Sequence, residues 1–368
     1  FLGRDRVSHS RVKRLIYSKD FWPLLTLWLQ EGKRPHLPDL IAWPRTAEEI
    51  SRIVKLANTE GIPVIPFGAG SGVCGGTYPL KGGIMLDLKK MDRLLSLDEV
   101  SLIANVEAGI IGEVLERRLN ARGYTLGHFP ASIYCSTLGG WLACRSAGQL
   151  STKYGKIEDM VLGIQVVLPD GRIMETKPSP RSATGPDLKQ LFVGSEGTLG
   201  IITRAAMKIL PLPDARIFLA VSFPDVHSGL EAIRTILRHG IRPAAVRLYD
   251  ELDTFIALQG GKGHRKGMSK GFVASLIRRA ERLALSSPRV LSRLSSLLPR
   301  QCLLVMTCEG QKDIAALESN LSRDICAQHH GRDLGPFVGK AWWKGRYRIS
   351  YQMSSLFYSG AFADTIEV

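Results

Sequence analysis

The run Pro66-Phe67-Gly68-Ala69-Gly70-Ser71-Gly72-Val73-Cys74-Gly75-Gly76 places five glycines within eleven residues. Where no Cβ stands in the way and φ > 0 is allowed, backbone N–H groups can approach an anion closely. The chemistry such a run points to is the cradling of a phosphate or pyrophosphate. Two familiar versions fail on context. A strand–turn–helix dinucleotide fingerprint needs a helix N-terminus directly after its glycines. Here Thr77-Tyr78-Pro79-Leu80-Lys81-Gly82-Gly83 leads through turns into another strand. A P-loop needs a terminal Gly-Lys-Ser/Thr, and none follows.

Three further stretches combine small residues, hydroxyls and bare backbone. Val106-Glu107-Ala108-Gly109 opens a helix. Gly127-His128-Phe129-Pro130-Ala131-Ser132 is followed by Ser136-Thr137-Leu138-Gly139-Gly140-Trp141. Gly194-Ser195-Glu196-Gly197-Thr198-Leu199-Gly200-Ile201-Ile202-Thr203 is the last. A tight turn would explain any one of them. Four in this order match the surface an extended dinucleotide requires.

The elements that must position these stretches are short. Ile50, Ile53, Val54 and Ala57 recur at helical spacing over 48–59, with Thr46 as N-cap and Gly61 as terminator. Strands are expected at 63–66, 84–88 and 103–107, and a helix at 112–122 closed by Gly123. The turn Pro169-Asp170-Gly171 predicts a hairpin of 160–168 with 172–175. After Leu210-Pro211-Leu212-Pro213 the pattern becomes strand 218–223, helix 226–238, strand 244–248, strand 303–308, helix 314–328 and a helical run around 342–357. This marks a second α+β domain beginning near residue 213. The apolar run 21–29, broken by Pro23, reads as a docked N-terminal helix and is too short for the ~18–20 residues a bilayer demands.

Residues 36–212 as a whole resemble the FAD-binding domain of the PCMH-type, or vanillyl-alcohol-oxidase, flavoproteins. The fold class so implied is α+β: a PCMH-type two-subdomain FAD-binding domain clamping an extended FAD, then an α+β cap domain over the isoalloxazine. On that plan 1–35 is a helical arm, 36–212 the FAD-binding domain, and 213–368 an incomplete cap with an insertion at 261–300. Carried over, Pro66, Phe67, Gly68, Ala69, Gly70, Ser71 and Gly72 would hold the pyrophosphate. Ala131, Ser132, Ile133, Tyr134, Cys135, Ser136 and Thr137, with Cys144, Arg145, Ser146 and Ala147, would line the flavin and ribityl chain. Glu196, Gly197, Thr198, Leu199, Gly200, Ile201 and Ile202 would close over the adenosine side.

Within the family, Gly127-His128, Trp141, Arg145 with Gly148, Tyr154-Gly155-Lys156-Ile157-Glu158-Asp159 and Val246-Arg247-Leu248-Tyr249-Asp250 are similar to the alkylglycerone-phosphate synthase branch. That branch exchanges the acyl group of acyl-dihydroxyacetone phosphate for a fatty alcohol, its flavin acting without net redox. It implies that Arg247 meets the substrate phosphate, as a guanidinium fork can; a salt bridge to Asp250 or Glu251 is the competing role. The branch's tyrosine and histidine cluster would fall beyond residue 368. His329-His330 follows a helix and reads as a cap turn. Ala69 stands where some relatives attach FAD through histidine, so that link is excluded and non-covalent FAD is expected. Cys135 occupies an offset at which berberine-bridge-type relatives bond flavin, but a buried, inert thiol is the simpler state. The alternative activity is a D-2-hydroxy-acid (lactate or glycolate) dehydrogenase, a group that shares Ser-Glu-Gly-Thr-Leu-Gly and the Val-Leu-Pro-Asp-Gly turn; Tyr17-Ser18-Lys19-Asp20 also resembles its N-terminal segment. A flavin-binding or membrane-surface protein without turnover is a third class.

Composition bounds the partners. The net charge is +15, and 261–300 holds ten Lys or Arg against the single acid Glu281. Leu276, Ile277, Leu283, Leu285, Leu291 and Leu294 interleave those cations, which favours a membrane-surface helix contacting lipid over a nucleic-acid partner, a solvated helix face being the plain alternative. No nucleic-acid-binding motif is present. The expected partners are a small-molecule or lipid substrate, with a homodimer open because cap-domain dimers are common among relatives. Six dispersed cysteines suit a reducing, cytoplasmic compartment. The chain starts at Phe1 and stops within the strand-like Asp364-Thr365-Ile366-Glu367-Val368, so both ends are expected to continue.

Overall fold

In the computed structural model, which describes residues 2–181, 183–251, 253–254 and 301–347, the N-terminal segment is woven into the first sheet. Val7–Ser8 (β1) pairs antiparallel with Leu40–Ala42 (β2). Helices Arg11–Ile16 (α1) and Pro23–Gln30 (α2) lie between them. Pro23 does not break the second helix but starts it, because at the first helical position its missing N–H has no intrahelical partner to lose. Ala47–Glu60 (α3) begins where Thr46 accepts a hydrogen bond from the Glu49 N–H and ends at Gly61, φ 64°. Its buried stripe of Ile50, Ile53, Val54 and Ala57 packs with Ile84, Leu86, Val167 and Ile201. Burying each large aliphatic side chain contributes ~1.5–3 kcal/mol.

Val64–Phe67 (β3) and Ile84–Asp87 (β4) complete the sheet, in the order β1-β2-β4-β3, with β4 parallel to both neighbours. Leu94–Asp98 (β5) and Ile103–Glu107 (β6) open a second sheet, followed by Gly112–Asn120 (α4) and Tyr124–Thr125 (β7). Three short helices follow, Leu138–Ala143 (α5), Ser151–Tyr154 (α6) and Ile157–Met160 (α7). Val161–Val167 (β8) and Ile173–Glu175 (β9) form the hairpin, closed by the Gly171 N–H donating to the Leu168 carbonyl. Leu188–Phe192 (α8), Ile201–Lys208 (β10) and Leu210–Pro211 (β11) finish this part. The second sheet runs β5-β6-β10-β8-β9, all antiparallel, and β11 pairs with β7.

Backbone proximity divides the chain into units Phe1–Leu212 and Pro213–Val368. In the second, Ala215–Phe223 (β12), Ala245–Tyr249 (β13), Cys302–Gly310 (β14) and Arg332–Asp333 (β15) make an antiparallel sheet ordered β13-β14-β12-β15. Val226–Arg238 (α9) and Lys312–Gln328 (α10) cover one face, over Leu219, Val221, Leu304 and Met306. Pro336–Gly345 (α11) covers the other, where Val338 and Trp342 meet Ala220, Leu303 and Val305. This last helix starts earlier than the pattern around Trp342 implied, because Pro336 sets its first turn. The basic segment 261–300, the end of that helical run and the strand-like 364–368 lie outside the described residues.

Candidate functional site

The parallel register of β3 and β4 sets Phe67 beside Asp87, so both strands end together and the glycine loop leaves from that edge. Ligands of sheets with parallel strands sit outside such carboxyl ends. No helix follows the loop, in keeping with its sequence. Two of its carbonyls are held from behind. Gly68 O accepts from Lys89 Nζ at 2.9 Å, and Gly72 O accepts from the Phe21 N–H at 2.9 Å. Across a peptide plane the following N–H points the opposite way. Among the described residues, the N–H groups of Ala69, Gly70, Ser71, Gly72 and Val73 donate to no protein acceptor. Gly70, at φ 65°, lies against the Phe67 ring, where an added Cβ would stand 2.8 Å from Cζ.

The loop meets the other stretches directly. A Cβ on Gly68 would collide with Thr137 Oγ1; one on Gly76 would lie 2.8 Å from Glu196 Oε2; one on Gly197 would lie 2.9 Å from Pro66 Cγ. Thr137 caps α5 by accepting from the Gly140 N–H at 3.2 Å. Gly139, whose N–H donates to Ala108 O at 2.7 Å, brings in the stretch around 106–109. At the far end of α5, Leu142 O and Ala143 O accept from the N–H groups of Gly194 and Glu196, both at 2.9 Å. Arg145 and Glu196 are non-glycine residues at positive φ, 49° and 50°. Such strain persists only where the surroundings over-determine it, and it collects at functional sites.

Beneath these segments lies a buried polar frame. Ser136 Oγ donates to Ser132 O at 2.9 Å and accepts from Trp141 Nε1 at 2.7 Å. The His128 ring meets the Trp141 ring edge-on at 4.8 Å, and its Nε2 shares a 2.9 Å hydrogen bond with Ser146 Oγ. Burial holds His128 neutral, pushing its pKa down to about 3. Cys144 is open to solvent, yet desolvation by the surrounding atoms, then Glu196, Cys74 and Asp20, push its thiol up to about 11. An inert thiol is the consequence.

The expected site residues divide by where their side chains go. Tyr134 and Leu199 leave large apolar groups exposed, as does Val73, one residue past the expected loop set. Ile133, Ile201 and Ile202 are buried in the core, so only their backbone is available to a ligand. Arg145 Nη2 donates to Val193 O at 3.0 Å and Gln190 O at 3.2 Å, bracing α5 against the loop after α8. Cys135 is half-buried rather than buried, its thiol donating to Ser132 O at 3.4 Å. In the second unit, Arg247 lies opposite Val305 on the sheet face that carries Tyr249. Among the described residues it forms no ion pair with Asp250 or Glu251. His329 caps α10 and bonds Thr235 Oγ1 through Nε2 at 3.1 Å.

Sequence reasoning gave no role at the loop to four residues beside it: Tyr17, noted only within the dehydrogenase-like N-terminal segment, and Trp43, Asp87 and Lys89. The buried Asp87 carboxylate accepts from Tyr17 OH at 2.5 Å, Trp43 Nε1 at 3.0 Å, Lys89 Nζ at 2.8 Å and the Lys89 N–H at 2.9 Å. Burial and that carboxylate raise the Tyr17 phenol well above its ordinary range. Only the strand register, absent from any local motif, brings this cluster to the glycines.

Residues 38–177 match the family model described as FAD binding domain, and residues 212–367 match FAD linked oxidases, C-terminal domain. An alkyldihydroxyacetonephosphate synthase of Caenorhabditis elegans is 36% identical over 268 residues, 71% of this chain and 45% of that protein. Glycolate oxidase subunit GlcD of Bacillus subtilis (strain 168) is 34% identical over 250 residues, 68% of this chain and 51% of its own length. A solved structure of alkyldihydroxyacetonephosphate synthase superposes with a TM-score of 0.80 at 29% identity, covering 97% of this chain and 63% of that one. The chain spans about half the length of the curated relatives it matches.

Proposed function

The chain belongs to the PCMH-type FAD flavoproteins, and from that premise we propose that it serves an alkyldihydroxyacetonephosphate synthase-like reaction, exchanging the acyl group of acyl-dihydroxyacetone phosphate for a fatty alcohol. FAD is its cofactor. The single observation that carries the placement of FAD is the row of N–H groups from Ala69 to Val73, which donate to no acceptor among the described residues, the first and last set by anchors on the Gly68 and Gly72 carbonyls. Such a nest suits the pyrophosphate. The exposed Val73, Tyr134 and Leu199 offer apolar surface for the rings. Cys144 beside them stays a thiol and brings no competing thiolate.

When bound, the flavin supplies the electron-accepting chemistry, and the protein supplies binding, orientation and electrostatics. In this reading Gly68 to Gly72 hold the pyrophosphate by backbone, and Ala131, Ser132, Tyr134 and Cys135 border the flavin. Glu196, Gly197, Thr198 and Leu199 close the adenosine side. The Ser136–Trp141 and His128–Ser146 bonds keep those walls in place while holding no titratable proton near neutral pH. Arg247 binds the substrate phosphate through its guanidinium fork.

The test has two stages. Purified protein is titrated with FAD, and saturable quenching of flavin fluorescence is the expected result; protein that stays colourless overturns the cofactor site. The loaded protein is then given acyl-dihydroxyacetone phosphate and a fatty alcohol, with the ether-linked product expected. Likeness to the glycolate oxidase subunit supports a second reading, FAD-dependent oxidation of a D-2-hydroxy acid. Rapid anaerobic bleaching of the flavin by glycolate or lactate, with no ether product, would decide for it.

A further inference from the structure

Lys89 sits immediately behind the glycine loop. Its ammonium donates to Gly68 O at 2.9 Å and to Asp87 Oδ2 at 2.8 Å. It also lies 4.8 Å from the Phe67 ring centroid and 5.5 Å from that of Tyr17. Phe67 is the ring on which Gly70 rests, so one cation touches both the carbonyl that starts the loop and the ring that supports its middle. The location of that cation is fixed twice over. Asp87 ends the strand registered beside Phe67, and its carboxylate is fully buried and further held by Tyr17 and Trp43.

We propose that Lys89 is a positioning residue for the cofactor's pyrophosphate: by clamping the Gly68 carbonyl against the Asp87 carboxylate it turns the Ala69 N–H outward and keeps the loop set for the anion. This inference rests on the FAD site proposed above. Two consequences follow from charge. The Lys89 ammonium withdraws electron density from the Gly68–Ala69 peptide, making the Ala69 N–H a stronger donor. One-third exposed along its side chain and paired with Asp87, it also offsets that buried carboxylate, which would otherwise repel a dianionic group at the loop. Neither effect requires Lys89 to touch the cofactor.

The test is FAD affinity of the full chain, by fluorescence quenching, in wild type, Lys89→Met, Lys89→Gln and Lys89→Arg. Circular dichroism and thermal melting of each apoprotein accompany the titrations. A lost charge-assisted hydrogen bond is expected to weaken FAD binding about 10- to 100-fold in Lys89→Met. Lys89→Gln, which keeps a donor without the charge, should fall between Met and wild type, and Lys89→Arg should recover to within about threefold of wild type. Wild-type-like affinity in both uncharged variants overturns the inference, and so does an equal loss in Arg and Met, since volume rather than charge would then be at work. If Met prevents folding, the Gln and Arg pair decides by the same criteria. Wild-type protein that binds no FAD sinks the underlying site instead, so the two failures are distinguishable.

Discussion

His128 shares one hydrogen bond, from Nε2 to Ser146 Oγ, while Nδ1 has no partner among the described residues. Full burial against Trp141 makes the charged ring costly there, which is why its pKa falls to about 3. The unfolded chain binds a proton at ordinary His values near 6.5, and the folded chain does not until about pH 3. Stability from this residue is therefore complete above about pH 6.5 and is lost as pH falls through the window to about 3. Between pH 6.5 and 5 the loss is roughly 2 kcal/mol, from ~1.4 kcal/mol per pH unit. Denaturant melts at pH 7 and pH 5 should show that drop in the wild type. In His128→Asn, less stable at pH 7 because the Ser146 contact and ring packing are gone, the drop should be smaller by about the same amount. Parallel drops would mean that other groups govern acid stability. Above pH 6.5 FAD binding should be indifferent to this ring, which serves as a neutral strut.

At the scale of elements, α5 and the stretch before it are seated by close approaches that only glycine permits. Gly112, first residue of α4, lies against the Trp141 ring, and a Cβ there would overlap its Cζ2 and Cη2 and touch Ile133 Cγ1 at 3.1 Å. Gly112→Ala should therefore cost about 1–3 kcal/mol, as overpacked cores do. The displaced indole would also pull Nε1 from Ser136, loosening the flavin wall. Denaturant unfolding measures the first effect, and FAD affinity reduced beyond what the stability loss explains measures the second. A variant as stable as wild type would show that the helix can slide. Such contacts explain what sequence could reveal. The cap of α3, the Pro169-Asp170-Gly171 hairpin and the glycine loop are local, each decided by a few adjacent residues. The Asp87–Lys89 cluster depends on register between strands twenty residues apart in sequence, β5 fully buries none of its residues, and α5 to α8 are too short to show a periodic face. Ile133, Ile201 and Ile202 lie in the right stretches, but local sequence could not tell that their side chains turn inward.

For the whole molecule, the division after Leu212 makes the cofactor a probe of independence. Every stretch proposed to hold FAD belongs to Phe1–Leu212, and each unit has its own sheets and its own buried cluster. A ligand that binds only the native form of one unit stabilises it by RT ln(1 + [L]/Kd), about 2.7 kcal/mol at a hundredfold excess over Kd. If the units unfold as separate cooperative bodies, FAD should raise the melting of the first and leave the second where it was. Hydrogen exchange followed by peptide mass analysis reads this directly. Added FAD should slow exchange in peptides spanning 64–76, 131–147 and 194–202, and more broadly through α3 and β8. Peptides from β12, β14 and α10 should keep their rates. Equal protection across both units would mean that they unfold as one body, because stabilisation confined to one cannot slow global opening in the other unless the two open together.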